Sequence, residues 1–259
     1  MVGIIGGSGL YEIEGVIIKE TRKISTPFGD PSGSYVIGEF SGLKVAFLAR
    51  HGSRHQIPPH RINYRANIWG FKALGVERVL SVGATGGISQ GMAPGTIVIP
   101  DQIIDMTRRR DVTFYDGEEV VHIDFTAPFC SEVRGSLFTA GERAGIDLRK
   151  SGTYVCAEGP RLETKAEIQF FSHIGGDVVG MTFMPEASLA REAELCYGGI
   201  AIITNFAAGI KAKGLTATEV IDVMNEAMAS LRRLLRETLS MLPGERSCGC
   251  KDALREARV

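Results

Sequence analysis

Apolar residues fall along the chain in short runs separated by turn residues. Runs rich in β-forming residues occupy Val2–Ile5, Tyr35–Ile37, Leu43–Leu48, Val79–Val82, Thr96–Ile99, Thr153–Cys156, Val178–Met181 and Gly199–Thr204. Each has the length of a buried strand. Between several of them the spacing becomes helical. "YRANIWGFKALG" puts Ile68, Phe71 and Leu74 near one face and stops at Gly75, a residue suited to a helix C-terminus. "ETKAEIQFFSHIGG" predicts a second helix, and "PEASLAREAELC" a third with Pro185 in its first turn. A fourth runs from Thr216 to about Leu242, with a capping-box pattern of Thr216 and Glu219 and a stop at Pro243-Gly244.

Strands alternating with helices after Gly75 predict a mostly parallel or mixed sheet covered on both faces. The first third reads as hairpins, with turn signals at "TPFGDPSG" and "FSGL". No repeat or low-complexity linker interrupts the pattern. The expectation is a single α/β domain over residues 1–242, with a twisted mixed central sheet flanked by helices, followed by a polar tail over 243–259.

Composition narrows the function classes. The 259 residues are 44% hydrophobic and 23% charged with a formal net charge of -1, which fits a globular protein with a sizeable core. It argues against a nucleic-acid partner, which calls for a basic face. The run Arg108-Arg109-Arg110 is surrounded by acids and reads as a solvated loop. The absence of a visible signal peptide or membrane-spanning run points to a cytoplasmic protein with no membrane partner. Cys130, Cys156 and Cys196 read as core thiols. Cys248 and Cys250 form a C-x-C in the polar tail: a strained redox pair, a partial metal site, or part of a dispensable segment.

Several strand ends carry candidate chemistry. "GIIGGSGL" follows the first strand, but Glu12 stands where a dinucleotide fingerprint needs its third glycine. What remains is a tight turn with open N–H groups and the Ser8 hydroxyl, able to wrap an anion. In "FLARHGSRHQIPPHR", Arg50 and His51 lie just beyond a strand's carboxyl end, where α/β sheets usually bind ligands. His51, His55 and His60 invite a metal, yet Gly52 and Pro58-Pro59 break any helix that would align them, and no metal is expected. Arg50 with His51 suits an oxyanion, the guanidinium forking onto two phosphate oxygens. The Gly83-Ala84 peptide offers close approach, and Thr182 sits at a helix N-terminus, a natural anion position.

These motifs carry a resemblance. "GIIGGSGL", "TPFG", "ARHG", "INYRANIW", "VHIDFTAPFC", "EGPRLET", "GMTFMPEA" and "ITNFAAG" occur in this order, and the chain resembles the methylthioadenosine phosphorylase and trimeric purine nucleoside phosphorylase family to about residue 242. The resemblance implies a homotrimer, no cofactor, and reversible phosphorolysis of a purine nucleoside with inorganic phosphate as co-substrate. It implies that phosphate meets Ser8, Arg50, His51, Gly83, Ala84 and Thr182. Met181 then lies against the sugar, and His122 closes the 5′ end of a neighbouring subunit's site.

The family's aminopurine users end the corresponding strand on Asp, an aromatic and Asp. Here the motif is Asn205-Phe206-Ala207. An amide donates to O6 and accepts from N7–H of a departing 6-oxopurine, while Glu163 accepts from N1–H. The reading is therefore a phosphorylase of 6-oxopurine nucleosides: methylthioinosine, inosine or guanosine. The alternatives are a methylthioadenosine phosphorylase and, from another class, a non-catalytic nucleoside-binding protein.

Overall fold

The computed structural model describes residues 1–7, 15–211 and 217–258. Ser8 and the Thr216 cap lie outside the described residues. The chain forms β1 (Val2–Gly6), β2 (Val16–Arg22), β3 (Tyr35–Phe40), β4 (Leu43–Ala49), α1 (Tyr64–Ala73), β5 (Arg78–Gly87), β6 (Ile97–Val98) and β7 (Gln102–Asp105). It continues through α2 (Ser131–Arg143), β8 (Leu148–Arg149), β9 (Thr153–Cys156), α3 (Lys165–His173), β10 (Val178–Gly180), α4 (Phe183–Glu192), β11 (Cys196–Phe206) and α5 (Ala217–Met241).

One mixed sheet joins all the strands. The order β2-β3-β4-β1-β5-β10-β9-β7 runs along its main path, with β11 on β5 and β6, and β8 on β6. As expected, β2, β3 and β4 pair antiparallel, while β1 lies parallel to β4 and β5. One face packs α1 and α4 around Ile68, Phe71, Phe183 and Tyr197. The other packs α2 and α5, with Val133, Leu137, Leu231 and Leu235 against Ile200 and Ile202 of β11. This is a single-domain α/β fold.

The differences from expectation have local causes. Helix α2 was not predicted: Gly135 and Gly141 lie inside it, and its buried apolar residues number only three: Val133, Leu137 and Ala140. Strand β2 is largely exposed, so its periodicity gives no signal. Pro185 does not occupy a regular first turn, because α4 begins at Phe183 and Met184 is extended (φ −108°, ψ 136°), as a residue preceding proline prefers.

The segment after Pro243 is packed onto the body rather than loose. Arg246 donates to the Glu194 carbonyl (2.7 Å), and the Ser247 N–H and hydroxyl both donate to Glu132 (2.9 Å each). Further on, Arg258 bridges Val121 in an antiparallel arrangement, and Cys250 and Ala257 are buried. Polar composition concealed these contacts because they reach residues 52 to 115 positions away and, for Arg258, as far back as Val121.

Candidate active site

The longest strand but one builds the site. β11 covers one edge of β5 over its full length, from Arg78 to Gly87. On the other edge β1 pairs only as far as Ser81, and β10, running antiparallel, resumes at Gly86. Between them the backbone of Val82–Thr85 is left without a strand partner on that edge among the described residues. Its N–H and C=O groups need other partners. Into this gap come the carboxyl ends of β1, β4 and β10.

Three of those ends meet within contact distance. A Cβ on Gly7 would lie 2.9 Å from both the Arg50 Nη1 and the Val82 carbonyl, and 3.7 Å from the Gly83 Cα. A Cβ on Gly83 would lie 3.7 Å from the Thr182 hydroxyl and 3.2 Å from the Phe183 ring. Thr182 is the residue before α4, and its hydroxyl makes no cap bond. Gly7, Arg50, Gly83 and Thr182 therefore lie against one another at one end of the gap, with Ala84 next in β5.

Arg50 departs from its expected role. It is fully buried, and its fork grips Glu186 of α4 rather than facing outward: Nε to Oε1 at 2.5 Å and Nη2 to Oε2 at 3.1 Å. Nη2 also donates to the Ser81 hydroxyl (2.5 Å), and Nη1 to the Val82 carbonyl (3.0 Å). Four of its five N–H groups are accounted for, leaving the second Nη1–H on the Gly7 side. The remaining Glu186 capacity is met by the Ser81 and Tyr197 hydroxyls at 2.7 Å each. Burial opposes the arginine's charge, and Glu186 more than restores it, so Arg50 stays charged. Glu186, unremarked in the sequence, is the partner that makes a fully buried arginine tolerable.

His51 is also buried. Its Nδ1 lies 2.8 Å from the Ile57 carbonyl, which only accepts, so Nδ1 carries the hydrogen and Nε2 presents a lone pair. Burial, with Arg50 next to it, pushes its pKa down to about 3. Its ring stacks on His55 at 4.4 Å.

At the other end of the gap stands Asn205. The pairing of β11 with β5 shifts between Ile203 and Asn205, so that Ile203 faces Thr85 and Asn205 faces Gly86. Thr204 is the extra residue of this β-bulge, a device that re-aims the side chain following it. Thr204 donates to the Thr85 carbonyl (3.3 Å) and to Asn205 Oδ1 (2.9 Å). Asn205 Nδ2 donates to the Phe206 carbonyl (3.0 Å), leaving one N–H and one lone pair to spare. Lys211 lies over the Phe206 ring at 4.0 Å. Ala207 is buried among Ile168, Phe171 and Val179, in the place where a carboxylate would need polar company.

Glu163 precedes α3 and is partly buried, with Oε1 lacking any hydrogen-bond partner among the described residues. Burial raises its pKa above the ordinary carboxylate value. A cleft of about 590 Å³ lies against it, lined also by His60, Gly159 and Phe170.

Arg110 corrects the solvated-loop reading. Its side chain is buried, and its guanidinium donates to the carbonyls of Met181 (2.7 Å), Met184 (2.6 Å) and Glu158 (2.8 Å). It thereby ties the Met181-Thr182 turn to the strand end after β9. A triple-arginine run surrounded by acids gives no hint of this. Met181 packs at Gly159, where a Cβ would meet its sulfur at 2.6 Å. His122 is exposed, its N–H bonded to the Ala257 carbonyl at 2.7 Å. No described contact brings its side chain to Arg50 or Asn205.

The gap thus has Gly7, Arg50, Gly83 and Thr182 at one end and the half-engaged Asn205 amide at the other. The family model described as the phosphorylase superfamily matches residues 1–240. The chain belongs to this superfamily. A probable S-methyl-5′-thioinosine phosphorylase from Thermodesulfovibrio yellowstonii is 52% identical over 257 residues, covering 99% of this chain and 96% of that protein. A 6-oxopurine nucleoside phosphorylase from Pyrococcus furiosus is 49% identical, covering 99% and 98%. Among solved structures, a methylthioadenosine phosphorylase from Schistosoma mansoni in complex with adenine superposes with a TM-score of 0.94 at 32% identity, covering 99% and 98%. Within the superfamily this places the chain among the purine nucleoside phosphorylases, which are pentosyltransferases.

Proposed function

We propose that this phosphorylase cleaves 6-oxopurine nucleosides, methylthioinosine, inosine and guanosine, to the free base and the sugar 1-phosphate. The observation that carries this reading is Asn205 re-aimed by the bulge opposite Gly86, with Ala207 buried among apolar residues in place of a second acid. A spare amide N–H meets O6, and the spare Oδ1 lone pair meets N7–H as the base departs. The unpartnered Glu163 oxygen accepts from N1–H.

Phosphate fits the opposite end. The remaining Arg50 N–H, the Gly83-Ala84 peptide, Thr182 and Ser8 donate to it, while the His51 Nε2 lone pair accepts a hydrogen from a monoprotonated phosphate. Held there, the anion stabilises the positive charge that develops on the ribose and then bonds to C1′. Catalysis is positioning and electrostatics. Met181 borders the sugar. His122, on the exposed segment pinned by the tail, closes the 5′ end of a neighbour's site in a homotrimer.

A second reading, phosphorolysis of methylthioadenosine, draws on Glu163 itself. Burial raises its pKa, and in its protonated form the carboxyl would donate to adenine N1. The test is purified protein with methylthioinosine, inosine, guanosine and methylthioadenosine, each with and without phosphate. Phosphate-dependent cleavage with the oxopurines ahead supports the proposal; preference for methylthioadenosine overturns the assignment of Asn205. Undiminished release of free sugar without phosphate overturns phosphorolysis altogether.

A further inference from the structure

Four of the five cysteines converge away from the nucleoside site. Cys130 caps the start of α2, Cys196 opens β11, and Cys248 and Cys250 flank Gly249 in the C-terminal segment. All four Sγ atoms lie within 4.8 Å of one another, with Cys196 and Cys248 3.3 Å apart, and all are free thiols. Cys130, Cys196 and Cys250 are buried. A single-residue spacer puts two side chains on the same side of an extended strand. Here the chain turns at Gly249 into a 3₁₀ helix, Gly249–Asp252, and both sulfurs still reach the other two.

From this convergence we propose that Cys130, Cys196, Cys248 and Cys250 form a structural zinc site, closed and four-coordinate. Four thiolates about 2.3 Å from a tetrahedral centre have S–S edges of about 3.8 Å, inside the range the sulfurs span. Weak thiol donors and acceptors packed on one another leave little else to satisfy them, and soft sulfur ligands select zinc over harder divalent ions. The step is ligand exchange without redox change: Zn²⁺ displaces four thiol protons, giving a Zn(S-Cys)₄ centre of net charge −2. The α2 N-terminus at Cys130 offsets part of that charge.

Such a centre would staple the C-terminal segment to the first turn of α2 and the start of β11. Because Ala257 and Arg258 hold the loop of Val121 and His122, the staple also steadies that loop. The site stands apart from the reading of the substrate and is tested without it.

The full chain is purified under reducing conditions from zinc-supplemented cells, and its metal content is measured alongside its intact mass. About one zinc per chain is expected, released on titration with a thiol-blocking mercurial. Chain produced with cobalt should show sulfur-to-cobalt charge-transfer bands and the strong visible bands of a tetrahedral site. A Cys248→Ser, Cys250→Ser double variant should lose the metal and melt lower. If that variant does not fold, the parent's metal content and cobalt spectrum still decide. Zinc far below one per chain, a cobalt spectrum lacking the charge-transfer bands, or a mass lighter by two or four hydrogens without metal would each overturn the proposal.

Discussion

The two ends of the β5 gap are built on opposite plans. At the proposed phosphate end the polar groups mostly satisfy one another: Arg50, Glu186, Ser81 and Tyr197 form a fully buried network that leaves one Arg50 N–H over. At the other end Asn205 keeps spare capacity, its amide half engaged by its own strand, and Glu163, before α3, keeps a carboxyl oxygen with no partner among the described residues. Saturation fixes geometry, because every member of a buried network holds the others in place. Spare capacity invites a ligand, because an unmet buried group gains most from one that satisfies it. On the proposed reading, the first end sets where phosphate sits, and the second decides which base is accepted.

This contrast breaks most visibly at Glu186. Replacing it by Leu leaves Arg50 charged and unpaired in the interior, a loss of roughly 3–5 kcal/mol. Urea unfolding of the variant checks this, and a loss under about 1 kcal/mol would show that the network does not hold the phosphate end. At the base end, Asn205→Asp with Ala207→Asp is expected to shift preference toward methylthioadenosine on the order of a hundredfold, at about 1–3 kcal/mol for each mispaired group. The ratio of kcat/KM for methylthioadenosine and methylthioinosine measures it. The new residue 207 carboxylate sits among Ile168, Phe171 and Val179, so the variant should also be less stable.

Acid sharpens the comparison. His51 stays neutral when folded, down to about pH 3, while the unfolded chain binds a proton below about pH 6.5. Its stabilisation is thus fully present above about pH 6.5 and is lost as pH falls toward its folded value. Between pH 6.5 and 5 the loss is about 2 kcal/mol. A His51→Gln variant should show a shallower fall in stability over that window; an unchanged slope would mean that His51 is not held neutral. The smallest effect is expected from Glu163→Gln. Losing one charged acceptor should lower kcat/KM for inosine by about tenfold, on the scale of about 1.4 kcal/mol, and leave methylthioadenosine almost unaffected.

Much of this was legible in the sequence because it is local. The strand ends that carry Arg50, Thr182 and Asn205 announce themselves by apolar runs that stop at polar or small residues. The capping box on α3 at Thr164 and Glu167 is present in the structure, within a segment recognisable from its helical spacing. What escaped is non-local. Arg50 meets Glu186 across 136 positions, and nothing in "MPEA" marks its glutamate as the arginine's partner. Arg110 is buried because carbonyls of two distant segments, Met181 to Met184 and Glu158, converge on it. The cysteines of the tail gain their meaning only from Cys130 and Cys196, which local reading assigns to the core. The bulge at Thr204 is likewise invisible in composition, since it is a shift in pairing rather than a change of residue type.

A single strand also works as a measuring rod. Gly83 stands beside Gly7 and Thr182, at the proposed phosphate end, and Gly86 opposite Asn205, three residues apart on β5. At about 3.3 Å per residue, the two handles sit about 10 Å apart along one covalent track. That length is set by backbone bonds rather than by side-chain packing, so thermal motion of loops or swapped side chains barely alters it. Evolution can therefore exchange the letters that read the base, or the groups that grip the anion, without recalibrating the interval between them. An inserted residue between Gly83 and Gly86 would do the reverse: each handle intact, and the gauge wrong.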